Sequence, residues 1–399
     1  MKEKAENINT EHSVPALPPA AEKDRFYAAF GKVFLILLLG IMAVHLLLPD
    51  QAYSASEKRA LAGVEKLLGA PISEGFADRA EEYVSDQFPL RATAMRLRSN
   101  LMLLLGEKES QGVYYCRDGS LIESFAPYRA GQAKTMAAAV NELAERKDFR
   151  QMIFLLLPTA VSLYEEKLPA YAQTASERLF FETLTGKLLD KIIVPDSFAL
   201  MEAVEADGIQ AYYLTDHHWT TPAAKAVFEK LAPQAGWEKG SFTGGVVSDR
   251  FLGSLVSLSG FIPAQSDALT VYENDKKDAA VLVSHTARGA SSASFYDLSA
   301  LEGEDPYAVF FGGNEPLITI RTTADNDDTL LVFKDSYANC FLPFLTESYK
   351  TITVVDPRYY SDPVSSLFLD SDYTDVLFLF NVQTLAGDDS LRIVLEDWQ

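Results

Sequence analysis

Five short, almost uninterrupted apolar runs constrain this chain more than any other feature: Gln151–Leu157, Ile192–Pro195, Thr329–Phe333, Thr351–Val355 and Asp375–Phe380. Runs this short, bounded by polar residues, read as strands buried on both faces, the mark of a parallel sheet covered by helices. The segments around them supply helices. Gln132–Arg146 is amphipathic at helical spacing, and Ser176–Lys191 also reads as helical. The repeated order of helix then buried strand predicts an α/β fold, a three-layer domain with a mostly parallel central sheet. The runs close on polar residues: Lys334-Asp335-Ser336, Asp356 with Arg358, and Asn381.

A second feature lies between these runs. Thr215–Thr221 reads TDHHWTT and holds two of the chain's five histidines. Tyr212–Leu214 before it is strand-like. Thr220 or Thr221 is a good N-cap with Pro222 in the first turn, so a helix is expected from Pro222 to Leu231. The motif then sits at a strand-to-helix corner, where open α/β sheets bind ligands.

Upstream, Met1–Asp24 is polar, carries Pro15, Pro18 and Pro19, and is expected to be a disordered tail. Phe26–Leu48 is an apolar run with one charge, Lys32, long enough to span a bilayer as a signal anchor if that lysine snorkels. Lys23, Arg25 and Lys32 flank its N-terminal side, which puts the tail in the cytoplasm and the remainder outside the membrane. A signal peptide cleaved near Ala52-Tyr53-Ser54 is the rival, and it too exports the remainder. Ser54–Leu105 reads helical, with a break at Pro89 inside Tyr83–Arg91. Residues 49–110 are expected to form a helical stalk and residues 111–399 the α/β domain. Within that domain Gly112–Glu123 reads as a hairpin about Asp118-Gly119, and Phe310–Ile320 as another turning at Gly312-Gly313-Asn314. Residues 242–305, rich in Gly, Ser and short β-like pieces, read as a β-rich excursion.

Charge excludes some functions. A formal net charge of −21 argues against a nucleic-acid partner and against adsorption to anionic lipid. Two cysteines, Cys116 and Cys340, make neither a disulfide framework nor a metal site by spacing. Cys340 reads as a small buried hydrophobe.

An Asp, a His and a Ser are the parts of an activated nucleophile if the fold unites them. Ser336 stands at a strand-to-helix turn, where the backbone N–H groups of Ser336 and Tyr337 can hold a developing oxyanion. Asp216 and His218, two residues apart, can point to one side, which makes His218 the base, Asp216 its orienting acid and His217 a structural neighbour. Trp219 offers an apolar wall or a sugar-stacking face. From the residues alone two other readings stay open: a hydrogen-bonded corner without chemistry, and a metal site on Asp216, His217 and His218.

The chain resembles the DHHW protein family, an exported bacterial family. The resemblance runs through Tyr83–Arg91, Leu157–Ala160, Thr215–Thr220, Phe310–Asn314, Lys334–Cys340, Asp356–Tyr360 and Asp375–Val382. That family is similar to the SGNH-hydrolase-like proteins of alginate O-acetylation, in which a D-x-H motif precedes the nucleophilic serine. Asp216-His217-His218 matches the D-x-H and Ser336 the nucleophile, although the usual G-D-S is K-D-S here. The resemblance implies an SGNH-hydrolase-like fold and a membrane-anchored, extracytoplasmic serine acyltransferase that acetylates a hydroxyl of a cell-envelope polysaccharide. A multi-span membrane acyltransferase would supply the acyl group, and no metal or organic cofactor is required. Asn381 is the implied oxyanion asparagine, and Arg358 the group neutralising an acyl or polymer anion. An esterase with the same triad, and a non-catalytic glycan-binding scaffold, are the alternatives.

Overall fold

The computed structural model describes residues 20–54, 59–69, 75–369 and 371–398. They divide into two units, one of residues up to Arg91 and one from Ala92 onward.

The first unit opens with a helix over Ala20–Leu47. Its segment Tyr27–His45 is long and apolar enough to cross a membrane, with a mean hydropathy of 2.2. The helix begins at Ala20, not Phe26, and most of the expected tail lies outside the described residues. The helix Phe76–Asp86 ends where expected, just before Pro89. Its last residue and the next one tie the unit together. Asp86 Oδ2 accepts from the Ala62 N–H at 2.9 Å. Gln87 Nε2 donates to the carbonyls of Gln51 at 3.0 Å and Ala62 at 3.1 Å. The stretch expected to be helical also contains a two-stranded ribbon, Tyr53–Ser54 with Arg59–Ala60.

The second unit starts earlier than residue 111. The helix Arg91–Leu104 belongs with it from Ala92 because its polar residues reach across the fold. Asn100 Nδ2 donates to the Gly260 carbonyl at 2.9 Å, and Ser99 Oγ lies 3.0 Å from Ser110 Oγ. The hairpin about Gly119 forms, with Val113 opposite Glu123, and Gly119 takes a left-handed φ of 85°.

Among the described residues the central sheet has eight strands. In chain order they are β1 (Gln151–Leu157), β2 (Ile192–Ile193), β3 (Val281–His285), β4 (Ala290–Ser292), β5 (Leu317–Thr322), β6 (Thr329–Lys334), β7 (Thr351–Val355) and β8 (Asp375–Asn381). The spatial order is β4-β3-β5-β7-β6-β8-β1-β2. The strands from β7 to β2 are mutually parallel, so all five apolar runs are neighbours in one sheet. Every residue of β8 is buried, as is β6 after Thr329, which is why these runs lack alternation. Helices pack in two groups. Gln132–Arg146 lies with Glu177–Thr185 and Ser390–Glu396, while Ser197–Ala206 lies with Thr221–Ala235.

Several local expectations change. The helix after Ser176 stops at Thr185 before Gly186, and β2 keeps only two residues because Asp196 already caps the next helix. Tyr212–Leu214 is a loop, not a strand; only an isolated bridge joins Tyr212 to Trp219. Phe310–Ile320 is not a hairpin. Phe311, Gly312 and Gly313 all have positive φ, and β5 pairs instead with β3 and β7. Residues 242–305 are not one excursion. Phe242–Phe251 and Asp267–Asn274 form a separate ribbon, while β3 and β4 extend the main sheet antiparallel.

Candidate active site

β6 and β8 are adjacent parallel strands, and their carboxyl ends carry Asp335 and Asn381. Asp335 is fully buried and pins the two ends together. Its Oδ2 accepts from the Asn381 N–H at 2.9 Å and from Asn381 Nδ2 at 2.8 Å. Its Oδ1 accepts from the Tyr337 N–H at 2.8 Å. Burial pushes the Asp335 carboxyl up, against the nearby Arg358 charge and these hydrogen bonds. The chain beyond Asp335 turns as a 3-10 helix, Ser336–Cys340, and Ser336 leaves the sheet at its start.

The DHHW loop is shaped from outside the motif. The Asp267 carboxylate accepts from the N–H groups of Leu214 at 2.8 Å and Thr215 at 2.9 Å, and from the Thr215 hydroxyl at 2.6 Å. Thr220 caps the following helix through the Ala223 N–H at 3.1 Å. Between these anchors Asp216 hooks forward: its Oδ1 accepts from the His218 N–H at 2.9 Å and lies 2.5 Å from His218 Nδ1. The two-residue spacing thus fixes the acid to the ring by a local turn.

His218 Nε2 lies 2.8 Å from Ser336 Oγ, a contact spanning 118 residues of sequence. Two further bonds hold the segments together. Trp219 Nε1 donates to the Tyr337 carbonyl at 2.8 Å, and the Tyr337 hydroxyl donates to the His217 carbonyl at 2.6 Å. The His218 ring stacks on Tyr307 with centroids 3.6 Å apart and planes 7° from parallel. Asp216, His218 and Ser336 are all buried, with the serine 8% exposed.

Gly253 and Ser254 press against the acid. The Ser254 N–H donates to Asp216 Oδ2 at 2.7 Å, and the Gly253 N–H to Thr215 Oγ1 at 3.0 Å. Burial alone would push the Asp216 carboxyl up. The charges of His218 and His217, with the hydrogen bonds from His218 and Ser254, outweigh it and hold the group well below the usual carboxylate range.

Ser336 opens on a cavity of about 260 Å³ that is also lined by Glu123, Thr159, His217, Ser254, Arg358 and Asn381. Arg358 is held in it by Asp356, with Nε 2.9 Å from Oδ1 and Nη2 2.7 Å from Oδ2. Behind this pair Lys334 is buried 3.3 Å from Asp356 and donates to Asn314 at 2.8 Å and Asn339 at 2.9 Å. Burial lowers the Lys334 pKa while Asp356 opposes that shift. The lysine of K-D-S therefore braces the neighbouring strand end and the Phe310–Asn314 turn.

The structure brings Ser336, His218 and Asp216 into one hydrogen-bonded relay and sets Arg358 and Asn381 in the same cavity. It places three expected groups otherwise. Trp219 is fully buried behind the serine turn, stacked on Tyr337 and Phe341, so it offers no face to a sugar. The Tyr337 N–H donates to Asp335 Oδ1 and is spent inside the turn. Both Asn381 amide hydrogens are engaged, by Asp335 and by Thr384 Oγ1 at 3.0 Å, so its side chain braces the site and does not reach for an oxyanion. Asp216, His217 and His218 also place ligand atoms within 4.8 Å of one another. Asp216 Oδ1 and both His218 nitrogens are committed to the relay, an arrangement suited to proton transfer. Sequence reasoning missed Asp267, Gly253, Ser254 and Tyr307. All lie at or beyond residue 253, far along the chain from the loop they hold, and no local motif marks them.

Residues 115–280 match the family described as the SGNH hydrolase-like domain of the acetyltransferase AlgX. The match includes the DHHW loop and ends before Ser336. A DHHW family protein from Eubacterium siraeum is similar in structure, at 24% identity and a TM-score of 0.59, covering 71% of this chain and 95% of that one. Bacillus cereus PatB1 with a sulfonyl adduct is similar at 21% identity and a TM-score of 0.57, covering 70% of this chain and 97% of that one. At these identities the two likenesses carry the fold. No curated protein matches the chain.

Proposed function

We propose that this chain is a membrane-anchored, extracytoplasmic serine O-acetyltransferase of a cell-envelope polysaccharide. The observation that carries the reading is the Asp216–His218–Ser336 relay opening on a cavity at the carboxyl ends of β6 and β8. His218 Nε2 takes the proton as Ser336 Oγ attacks the acyl carbonyl, and returns it to the leaving group. Asp216 fixes the tautomer that keeps Nδ1 protonated and stabilises the imidazolium. The Ser336 N–H faces the developing oxyanion. In the second half the acceptor hydroxyl attacks the acyl-serine, and His218 moves its proton to Ser336 Oγ.

The family match to an acetyltransferase domain supports acetyl as the acyl group. An envelope glycan as acceptor is what the resemblance to the proteins of alginate O-acetylation implies. The apolar helix supports a membrane anchor, and the basic residues before it support a cytoplasmic N-terminus. The donor is then a multi-span membrane protein that brings acetyl across the bilayer. Ser336 is expected to be labelled covalently by a phosphonate or activated-ester probe, with no label on Ser336→Ala. A wild-type protein that takes no label sinks the enzyme reading and leaves a glycan-binding scaffold.

A further inference from the structure

We propose that the helix Arg91–Leu104 docks the catalytic domain on the membrane, its leucine face entering the head-group layer of the bilayer that anchors the chain. This rests on the membrane-anchored reading above. Leu97, Leu101 and Leu104, with Leu105 just after the helix, fall on one face at helical spacing and are 49–84% exposed. Leu103 packs inward, against the cluster of Val113, Leu121 and Leu255. Polar side chains fasten the same helix to the domain. Ser99 is buried with its Oγ 3.0 Å from Ser110 Oγ. Asn100 Nδ2 donates to the Gly260 carbonyl at 2.9 Å, and Asn100 Oδ1 accepts from the Ile262 N–H at 3.1 Å. These bonds fix the rotation of the helix, so the outward leucines cannot turn into the core. Ile262, 58% exposed, extends the apolar surface beside them.

Charge and tether say what covers this face. Residues 91–105 contain Arg91, Arg96 and Arg98 and no acidic residue, in a chain whose formal net charge is −21. Arg96 and Arg98 are exposed and flank Leu97 on either side, so their stems can lie along the leucines while the guanidinium groups reach lipid phosphates. An apolar stripe between arginines is the pattern of a helix that lies in a bilayer surface. A second copy of the chain fits less well, because a two-fold contact sets this face against itself and its own like charges. The membrane-length segment Tyr27–His45 precedes the helix in the same chain and would keep it beside a bilayer.

Docking here bears on the reaction. Gly260, which Asn100 holds, ends the short helix Ser254–Ser259, and Ser254 at its start lines the cavity of Ser336. Six residues of helix, about 9 Å, join the docked surface to the cavity. Ser336 would then work close to where an acyl group carried across the membrane emerges.

The test uses the full chain reconstituted in vesicles of phosphatidylcholine and phosphatidylglycerol, with an environment-sensitive NBD label on Leu104→Cys. Cys116 and Cys340 are buried, so the label goes to the new thiol. The expected result is a blue-shifted emission that is quenched by lipids carrying a nitroxide near the head group. Arg96→Glu with Arg98→Glu, combined with the label, should weaken both the shift and the quenching. A label on Ile393→Cys, exposed on the helix Ser390–Glu396, should keep the emission it has in water. An unshifted emission at Leu104→Cys, with the chain floating on the vesicles, overturns this proposal and leaves the anchor standing. A blue shift without lipid quenching means that protein covers the leucines, and equal shifts at both positions mean adsorption without a docking face; either overturns it as well. A chain that does not float with the vesicles overturns both this proposal and the anchored reading.

Discussion

The substitution Gly253→Ala tests how tightly the relay is held. Gly253 has φ −85°, an ordinary value for any residue, so the backbone itself tolerates alanine. Space does not. A Cβ at this position would lie 2.1 Å from Asp216 Cβ, 2.5 Å from its Oδ2 and 2.6 Å from its Cα. Real Cβ contacts essentially never fall below 3.0 Å, so the two segments must separate by roughly 0.9 Å at least, and two of the three obstacles are too close to the backbone to swing aside. The adjacent Ser254 N–H bond to Asp216 Oδ2, 2.7 Å long, breaks or stretches with that movement. Overpacking of this kind costs about 1–3 kcal/mol of stability. A displacement near 1 Å in a catalytic group lowers turnover on the order of 100-fold. Gly245→Ala is the control, because its added methyl meets nothing within 4 Å. The assay is the rate of Ser336 labelling by an activated ester at a temperature where circular dichroism shows both variants folded. Labelling of Gly253→Ala at the wild-type rate would mean that Asp216 does not need its present position, and the relay argument would fail.

Further outcomes follow from other contacts. Ser336→Ala should abolish ester turnover with little change in melting temperature, since only a small hydroxyl that opens on the cavity is lost. Asp335→Asn sets an amide donor against the donors of Asn381 or Tyr337, and should cost about 1–3 kcal/mol in a urea titration. Trp219→Phe leaves the buried Tyr337 carbonyl only the weak Cys340 thiol donor, 3.6 Å away, and should cost about 1 kcal/mol while slowing acylation. The Asp216 carboxyl has a depressed pKa, so its stabilising contribution is complete above the ordinary carboxylate value of about 4 and is lost only as pH falls through the lower folded value. Wild type should therefore exceed Asp216→Asn in urea midpoint at neutral pH, with the gap closing only in strong acid. Protease added outside intact cells should degrade the region after Asp50; a protected C-terminal domain would refute the assigned orientation.

The antiparallel strands β3, β4 and β5 alternate or lie exposed, but the parallel strands from β7 to β2 were legible because they are largely buried on both faces and so appear as plain apolar runs. β2 was the poorest of these, since the Asp196 cap cuts it short. The pairing of Asp216 with His218 follows from their spacing, but the contact with Ser336 does not. It came from the resemblance to a family with a D-x-H before its serine, and from nothing local. What stayed hidden were groups whose meaning is a partner far away: Asp267 beneath the DHHW loop, Gly253 against Asp216, Tyr307 under the His218 ring. Two assignments erred for a common reason. Trp219 and Asn381 have side chains that suit a substrate, yet their polar atoms were needed inside, by the Tyr337 carbonyl and by Asp335.

The position of β8 bears on when the protein can become active. β8 lies between β6 and β1, although it follows both in chain order, so the middle of the sheet is filled after its flanks have been synthesised. The same strand ends in Asn381, which clasps Asp335 beneath the nucleophile. A nascent chain that has emerged only as far as the serine turn thus has a gap in its sheet and an unbraced Ser336. Pairings of such long sequence separation also form slowly. If the chain is exported as proposed, Ser336 gains this brace only after residues 375–381 have crossed the membrane, and the proposed chemistry would wait until translocation has passed that point.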